Sequence, residues 1–146
     1  MSDTKRKSDG KCLLEWIRAK GFDEYGSVFL GNDVRRTLDI ILPRTATKKV
    51  FDSLSLRELS AIDYCRNVLL GEGKYLAQHQ GDYRILLPSE NGRQIEAYIA
   101  NADTKLRRAL KLARNTPAVD GSVNDQTSAR LIMKREGLKR YRSQTR

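Results

Sequence analysis

Cations are the residues of this chain whose types and spacing carry chemistry. Between Ser89 and Asn115, Arg93, Arg107, Lys111 and Arg114 fall on one side of a helix drawn at about 100° per residue. Glu96 is the one carboxylate the spacing sets near them. A second group, Lys134, Arg135, Lys139, Arg140 and Arg142, crowds the last residues, with Tyr141 among them as a ring able to stack on a base. Rows of like charge with few carboxylates between them attract polyanions, phosphate backbones above all. A third group is less cationic. Arg57, Ser60, Tyr64 and Asn67, spaced three, four and three apart, line one polar edge of a helix, and arginine and asparagine can each hold a base edge bidentately. Each set also has a plainer reading, as the solvated face that any soluble helix needs.

The chemistry of an enzyme is harder to find. Gly71-Glu-Gly-Lys74 lacks the upstream glycine spacing of a phosphate-binding loop. No nucleophile elbow, zincin helix or paired-cysteine metal site is present. The single histidine, His79, falls at a hairpin tip, where a solvated ring is expected. Carboxylate pairs such as Glu58 with Asp63, or Asp82 with Glu90, occur in any charged protein. We therefore expect no catalytic residues, no metal and no cofactor.

Charge is unevenly spread. The net charge is +10, and from Asn101 onward twelve cations face four anions, an excess of +8. Cys12 and Cys65 lie far apart, too few for a disulfide framework, and read as reduced thiols with Cys65 buried. The first ten residues lack the apolar run of a signal peptide, and no stretch reaches the roughly 18 apolar residues of a membrane span. A cytoplasmic protein with no membrane partner is the expectation.

The elements that must position these residues follow from periodicity and punctuation. Residues 1–10 are polar and expected to be disordered, Lys5-Arg6-Lys7 included. Lys11 to Lys20 predicts a short helix burying Leu13, Leu14, Trp16 and Ile17, with Gly21 as its cap. Val28-Phe-Leu30 reads as a small strand. Asp33 to Asp39 predicts two helical turns capped by Asn32, with Val34, Leu38 and Ile41 inward. Thr47 to Leu54 suggests a separate turn of helix. Ser55-Leu-Arg-Glu58 has the form of a capping box, opening a helix to Leu70 that buries Leu56, Leu59, Ile62, Cys65, Leu69 and Leu70. Asp63 and Arg66 sit at its margin, three apart, where they can pair.

Lys74–Gln78 and Tyr83–Leu87 read as two strands of a hairpin, with turn chemistry at Gly81-Asp82. Pro88 closes it, and Ser89 is the expected N-cap of the long helix, which at about 1.5 Å per residue runs about 39 Å. Residues 118–124 read as a linker. Asp125–Arg146 follows as a marginal helix broken at Gly137, ordering on a partner. The fold class is α+β, mainly helical, in three parts: a disordered 1–10, a globular 11–115 and a linker with basic tail over 116–146.

A buried helix followed by a hairpin, with shorter helices upstream, resembles a winged-helix arrangement, a variant of helix-turn-helix, over residues 28–88. That resemblance implies that the helix before the hairpin reads the nucleic acid and that the hairpin is the wing. Lys74 and Arg84 would then reach flanking phosphates. The resulting expectation is a small nucleic-acid-binding protein, DNA more than RNA, acting as a regulator or accessory factor of transcription. The alternatives are an RNA-binding protein and a protein-binding inhibitor or adaptor docking on an acidic surface. The apolar stripe of the long helix also leaves room for a homodimer.

Overall fold

A computed structural model describes residues 8–117 and 123–144. The described chain is mainly helical, five helices with one three-stranded antiparallel sheet, an α+β protein. The Lys5-Arg6-Lys7 triplet and most of the expected linker lie outside the described residues. Two compact units are present, residues 1–91 and 92–146, and each is taken by itself.

In the first unit, helix α1 (Asp9–Ala19) starts earlier than the sequence suggests. Ser8 caps it, accepting from the Lys11 N–H, and Asp9 in the first turn suits the positive end of the helix dipole. Ser8 to Gly10 therefore belong to the fold and not to a disordered arm. Leu13 and Ile17 are fully buried at i, i+4, and Leu14 and Trp16 pack on the same core. The helix stops at Gly21 (φ +71°), where the Phe22 N–H reaches the Ile17 carbonyl at 2.9 Å in a Schellman turn. That turn delivers Phe22 to a cluster with Trp16, Phe29 and Tyr83, ring centroids 5.4 to 5.9 Å apart.

Strand β1 (Val28–Phe29) precedes helix α2 (Gly31–Thr37), whose cap is not Asn32. Its first N–H, on Gly31, donates to the Asp82 carboxylate at 3.0 Å, so the cap comes from the hairpin, and Asn32 accepts from Arg35. A second Schellman turn ends α2. Asp39 takes φ +54°, and the Ile40 N–H reaches the Arg35 carbonyl at 2.9 Å. This turn points Ile40 into the core and leaves Ile41, expected inside, 82% exposed.

Helix α3 (Lys48–Leu70) joins two elements that the sequence suggests are separate. Thr47 caps it by accepting from Val50, no breaker lies between Lys48 and Leu54, and Ser55 ends inside the helix. Glu58 instead accepts from the Tyr83 hydroxyl at 2.9 Å and from Arg35. Ala61, Ile62, Cys65 and Leu69 form the buried face, because α1 approaches where the side chains are small. A Cβ at Gly10 would stand 2.6 Å from the Tyr64 ring, so only glycine permits that approach. Leu56, Leu59 and Leu70, expected inside, point away and are exposed.

Strands β2 (Leu76–His79) and β3 (Asp82–Ile85) form the hairpin, and β3 also pairs with β1 to give the order β1-β3-β2. Its two-residue turn is Gln80-Gly81, one residue earlier than expected, both at positive φ (51° and 85°) as a primed turn requires. Leu76 and Ile85, opposite each other, are fully buried. Burying six such aliphatic chains (Leu13, Ile17, Ile62, Leu69, Leu76 and Ile85) at about 1.5–3 kcal/mol each makes this unit's core.

Helix α4 (Pro88–Asn115) begins with proline at its first position, not with Ser89 as a cap. The Leu87 N–H donates to Glu90 at 2.8 Å, satisfying one group at the helix start. In the second unit, Asp103 and Leu110 are the buried residues of α4, and Ile95 is exposed. Helix α5 (Val123–Gln144) follows and runs unbroken through Gly137. Its half-buried residues, Ser128, Leu131, Arg135 and Leu138, share one face.

Candidate functional site

The sequence-derived reading edge on α3 does not survive intact. Arg57 is committed: its fork grips Asp9 at 2.6 and 3.1 Å and also donates to the Leu38 carbonyl at 2.8 Å. That guanidinium ties α1, α3 and the end of α2 together. The hydrogen bond it donates to Asp9 raises its pKa further above an already high ordinary value. Arg57, Ser60 and Tyr64 do come together, lining an open groove of about 610 Å³ with Asp9 and Gly10. Asp9 and Arg57 pair in this groove, so its lining offers phosphate no free cation. Asn67, outside the groove, is exposed with no partner among the described residues.

The hairpin cations are also in use. Arg84 lies across Glu90 with two hydrogen bonds, 2.9 and 2.7 Å, and hydrogen bonding to Glu90 raises its pKa. Glu90 also accepts from Leu87, so this pair fastens β3 to the start of α4. Lys74 sits 3.9 Å from Asp23 and 3.8 Å from Glu72. Neither residue is a loose phosphate contact. His79 is exposed at the end of β2, as expected.

On α4 the picture is different. Arg93, Lys111 and Arg114 are exposed and have no partner among the described residues, and Lys105 and Arg108 join them. Arg107 is the exception, donating to Asp103 at 2.9 Å. The expectation that only Glu96 lies near these cations overlooked that aspartate. On α5, Lys134, Arg140 and also Arg130 are exposed without partners among the described residues. Lys139 pairs with Glu136 at 3.1 Å, and Arg135 reaches back to Asp103 at 3.1 Å. Arg142 and Tyr141 are exposed.

Burial disfavours the Asp103 carboxylate, but the hydrogen bonds from Arg135 and then Arg107 outweigh it and hold its pKa below the ordinary value. Cys65 is fully buried and its thiol is pushed up to about 12 by desolvation, which makes it unreactive at neutral pH.

Sequence reasoning missed one stretch. Every residue from Ile41 to Ser53 is exposed, including the first turns of α3, and it holds Arg44, Lys48 and Lys49 with no partners among the described residues. The available signal was Thr47-Lys-Lys49, a capping residue followed by two cations. Among the described residues no cluster of three or more metal-ligating side chains occurs, and no helix is long and apolar enough to cross a membrane. Comparison with family models, curated proteins and solved structures found no match to this chain.

Proposed function

We propose that this protein binds nucleic acid, DNA before RNA, mainly through phosphate contacts made by α4 and α5, as a regulator or accessory factor. One observation carries the reading. The unpartnered cations gather in the second unit, where thirteen cations face five anions, against fifteen facing thirteen in the first. Charges left without carboxylates keep their full attraction for phosphate and release counterions when they meet it.

The element order α1-β1-α2-α3-β2-β3 and the strand order β1-β3-β2 support a winged-helix reading of the first unit. In that reading the contacts come from Arg44, just before α3, and from Lys48 and Lys49 in its first turn, and not from Arg57, whose hydrogen bonds are already made. The contacts are then to phosphates, which position a protein but carry no sequence information.

The test is fluorescence anisotropy with random-sequence duplex DNA, single-stranded DNA, duplex RNA and a simple polyanion, each across a salt series. A duplex preference with a steep salt slope supports the proposal. Equal binding to all four reduces it to charge alone, and no binding at low salt overturns it. Changing Arg108, Lys111 and Arg114 together to glutamine should weaken duplex binding at every sequence. The salt slope should become shallower by about 2.7, at about 0.9 per lost phosphate contact.

A second reading, an adaptor for an acidic protein surface, has its own support. Ile41, Leu42, Val50 and Phe51 are exposed beside Arg44, Lys48 and Lys49, and nucleic acid has little use for such apolar groups. Clean absorbance after low-salt purification, with a partner lost on changing Phe51, would favour it.

A further inference from the structure

We propose that Asp103 is a built-in competitor for phosphate. It holds Arg107 and Arg135 in a docked form of α5, and those two arginines reach phosphate only when it lets go. The inference rests on the nucleic-acid reading and adds a regulatory device to the same surface.

Asp103 is the one charged side chain buried among the described residues. Each of its oxygens takes one guanidinium, Oδ2 from Arg107 at 2.9 Å and Oδ1 from Arg135 at 3.1 Å. Arg107 comes from the next turn of α4, and Arg135 from the middle of α5, so one carboxylate fastens the two helices. A charge set in a helix side and covered by a second helix is costly unless it is paired, so its partners are essential to the docked arrangement. This buried carboxylate lies on helices whose exposed cations are Lys105, Arg108, Lys111 and Arg114 on α4 and Arg130, Lys134 and Arg140 on α5.

Leu131 and Leu138 lie half-buried on the docking face, but Met133 and Ile132 are exposed, 74% and 40%. The apolar residues are spread around the helix and make no continuous seam. The pair of Arg135 with Asp103 is thus a polar tie between the two helices beside those half-buried leucines. Phosphate offers guanidinium what carboxylate offers, an anion with oxygens set to accept paired N–H groups. A phosphate brought to Arg107 or Arg135 would stand close to Asp103, and two anions within about 4–6 Å disfavour each other. The docked helix and the phosphate-bound arginines are consequently alternatives. Arg107, its side chain 64% exposed, can turn outward alone, but Arg135, at 26%, must take α5 with it.

Two variants of the full chain test this. Asp103→Asn keeps the shape and removes the charge that holds both guanidiniums. Arg135→Lys keeps every charge but loses the fork. Each is titrated with a random-sequence DNA duplex across a salt series, with amide hydrogen exchange followed over α5. Glu136→Gln, which removes a carboxylate elsewhere on α5, is the reference.

Asp103→Asn should steepen the salt slope by about 1.8, two added phosphate contacts at about 0.9 each, and lower the exchange protection of α5. Arg135→Lys should lower that protection with a slope no shallower than the wild type. A steeper slope with α5 protection unchanged, or equal slopes for Asp103→Asn and Glu136→Gln, would mean net charge alone and overturn the competitor. So would Arg135→Lys exchanging like wild type. A wild-type chain that binds nothing at low salt removes the nucleic-acid reading itself, and that failure appears before any variant is made.

Discussion

The two units use the same residue for opposite ends. Of the seven described arginines in the first unit, six are ion-paired and Arg44 is the exception. The pairs of Arg35, Arg57 and Arg84 each join different elements, so their forks are structural ties. In the second unit Arg93, Arg108, Arg114, Arg130 and Arg140 have no partner among the described residues, and only Asp103 binds two of the rest. Counting cations along the sequence treats Arg57 and Arg108 alike, whereas the carboxylate beside each decides whether its charge is spent inside the fold or left for a partner. A cation predicts an interface only after its own acids have been accounted for.

This division is tested most severely at Gly31, which should affect the first unit alone. A Cβ there would stand 2.0 Å from the Gly81 carbonyl oxygen, backbone against backbone, so the hairpin must move away from α2. Gly31→Ala should cost about 3 kcal/mol and lower the melting temperature, read through Trp16 fluorescence, by more than about 10 °C. The salt slope of duplex binding should stay as it was.

Arg57→Gln comes next. It strips Asp9 and the Leu38 carbonyl of their donor, but the pair is more than a third exposed, so the loss should be about 1 kcal/mol. Here too thermal unfolding should report the change and the salt slope should not. A shallower slope for Arg57→Gln would erase the distinction between tie and contact.

Acid sharpens the comparison in the second unit. Asp103 has its folded pKa depressed, so the stability it lends is complete above the ordinary carboxylate value of about 3.9. It is lost as pH falls through the lower folded value. The protection of α5 against hydrogen exchange, taken relative to the intrinsic rate at each pH, should therefore be flat from neutral pH down to about 4 and fall below that. Loss of α5 protection already at pH 6 would show that another group holds the helix.

Local signals wrote much of this fold plainly. The hairpin, the long helix to Asn115, the Gly21 stop and the Asp63–Arg66 pair were all legible, because each depends on residues near in sequence. What failed depended on distant partners. The Ser55-Glu58 capping box was outbid because Glu58 had Tyr83 and Arg35 to bind, 25 and 23 residues away. Leu56 and Leu59 fit a buried period as well as Ala61 and Cys65 do. The choice between faces was made by α1, whose Gly10 allows close approach on one side only. At the candidate site, the cations of α4 were legible from their spacing. The acids that neutralise Arg57, Arg84 and Arg135 were not, since Asp9 and Asp103 lie 48 and 32 residues from their arginines. Glu90, only six residues from Arg84, was close enough to see but belongs to a different element.

The smallest effect is expected at Asn67, and it decides whether the first unit only supports or also reads. Of the four edge residues on α3, Arg57 is bound and Ser60 and Tyr64 line a groove together with Asp9. Of the four, Asn67 has no partner among the described residues and lies a turn beyond Tyr64. One asparagine without its arginine makes a thin reading edge, since base recognition draws on several side chains at once. Asn67→Ala should then leave the melting temperature and duplex affinity within about twofold, the scatter of an ordinary surface change. That should hold on random sequence and on any site selected from a library. A tenfold loss confined to selected sequences, about 1.4 kcal/mol, would be a base contact by α3 and would give the first unit a share of the interface.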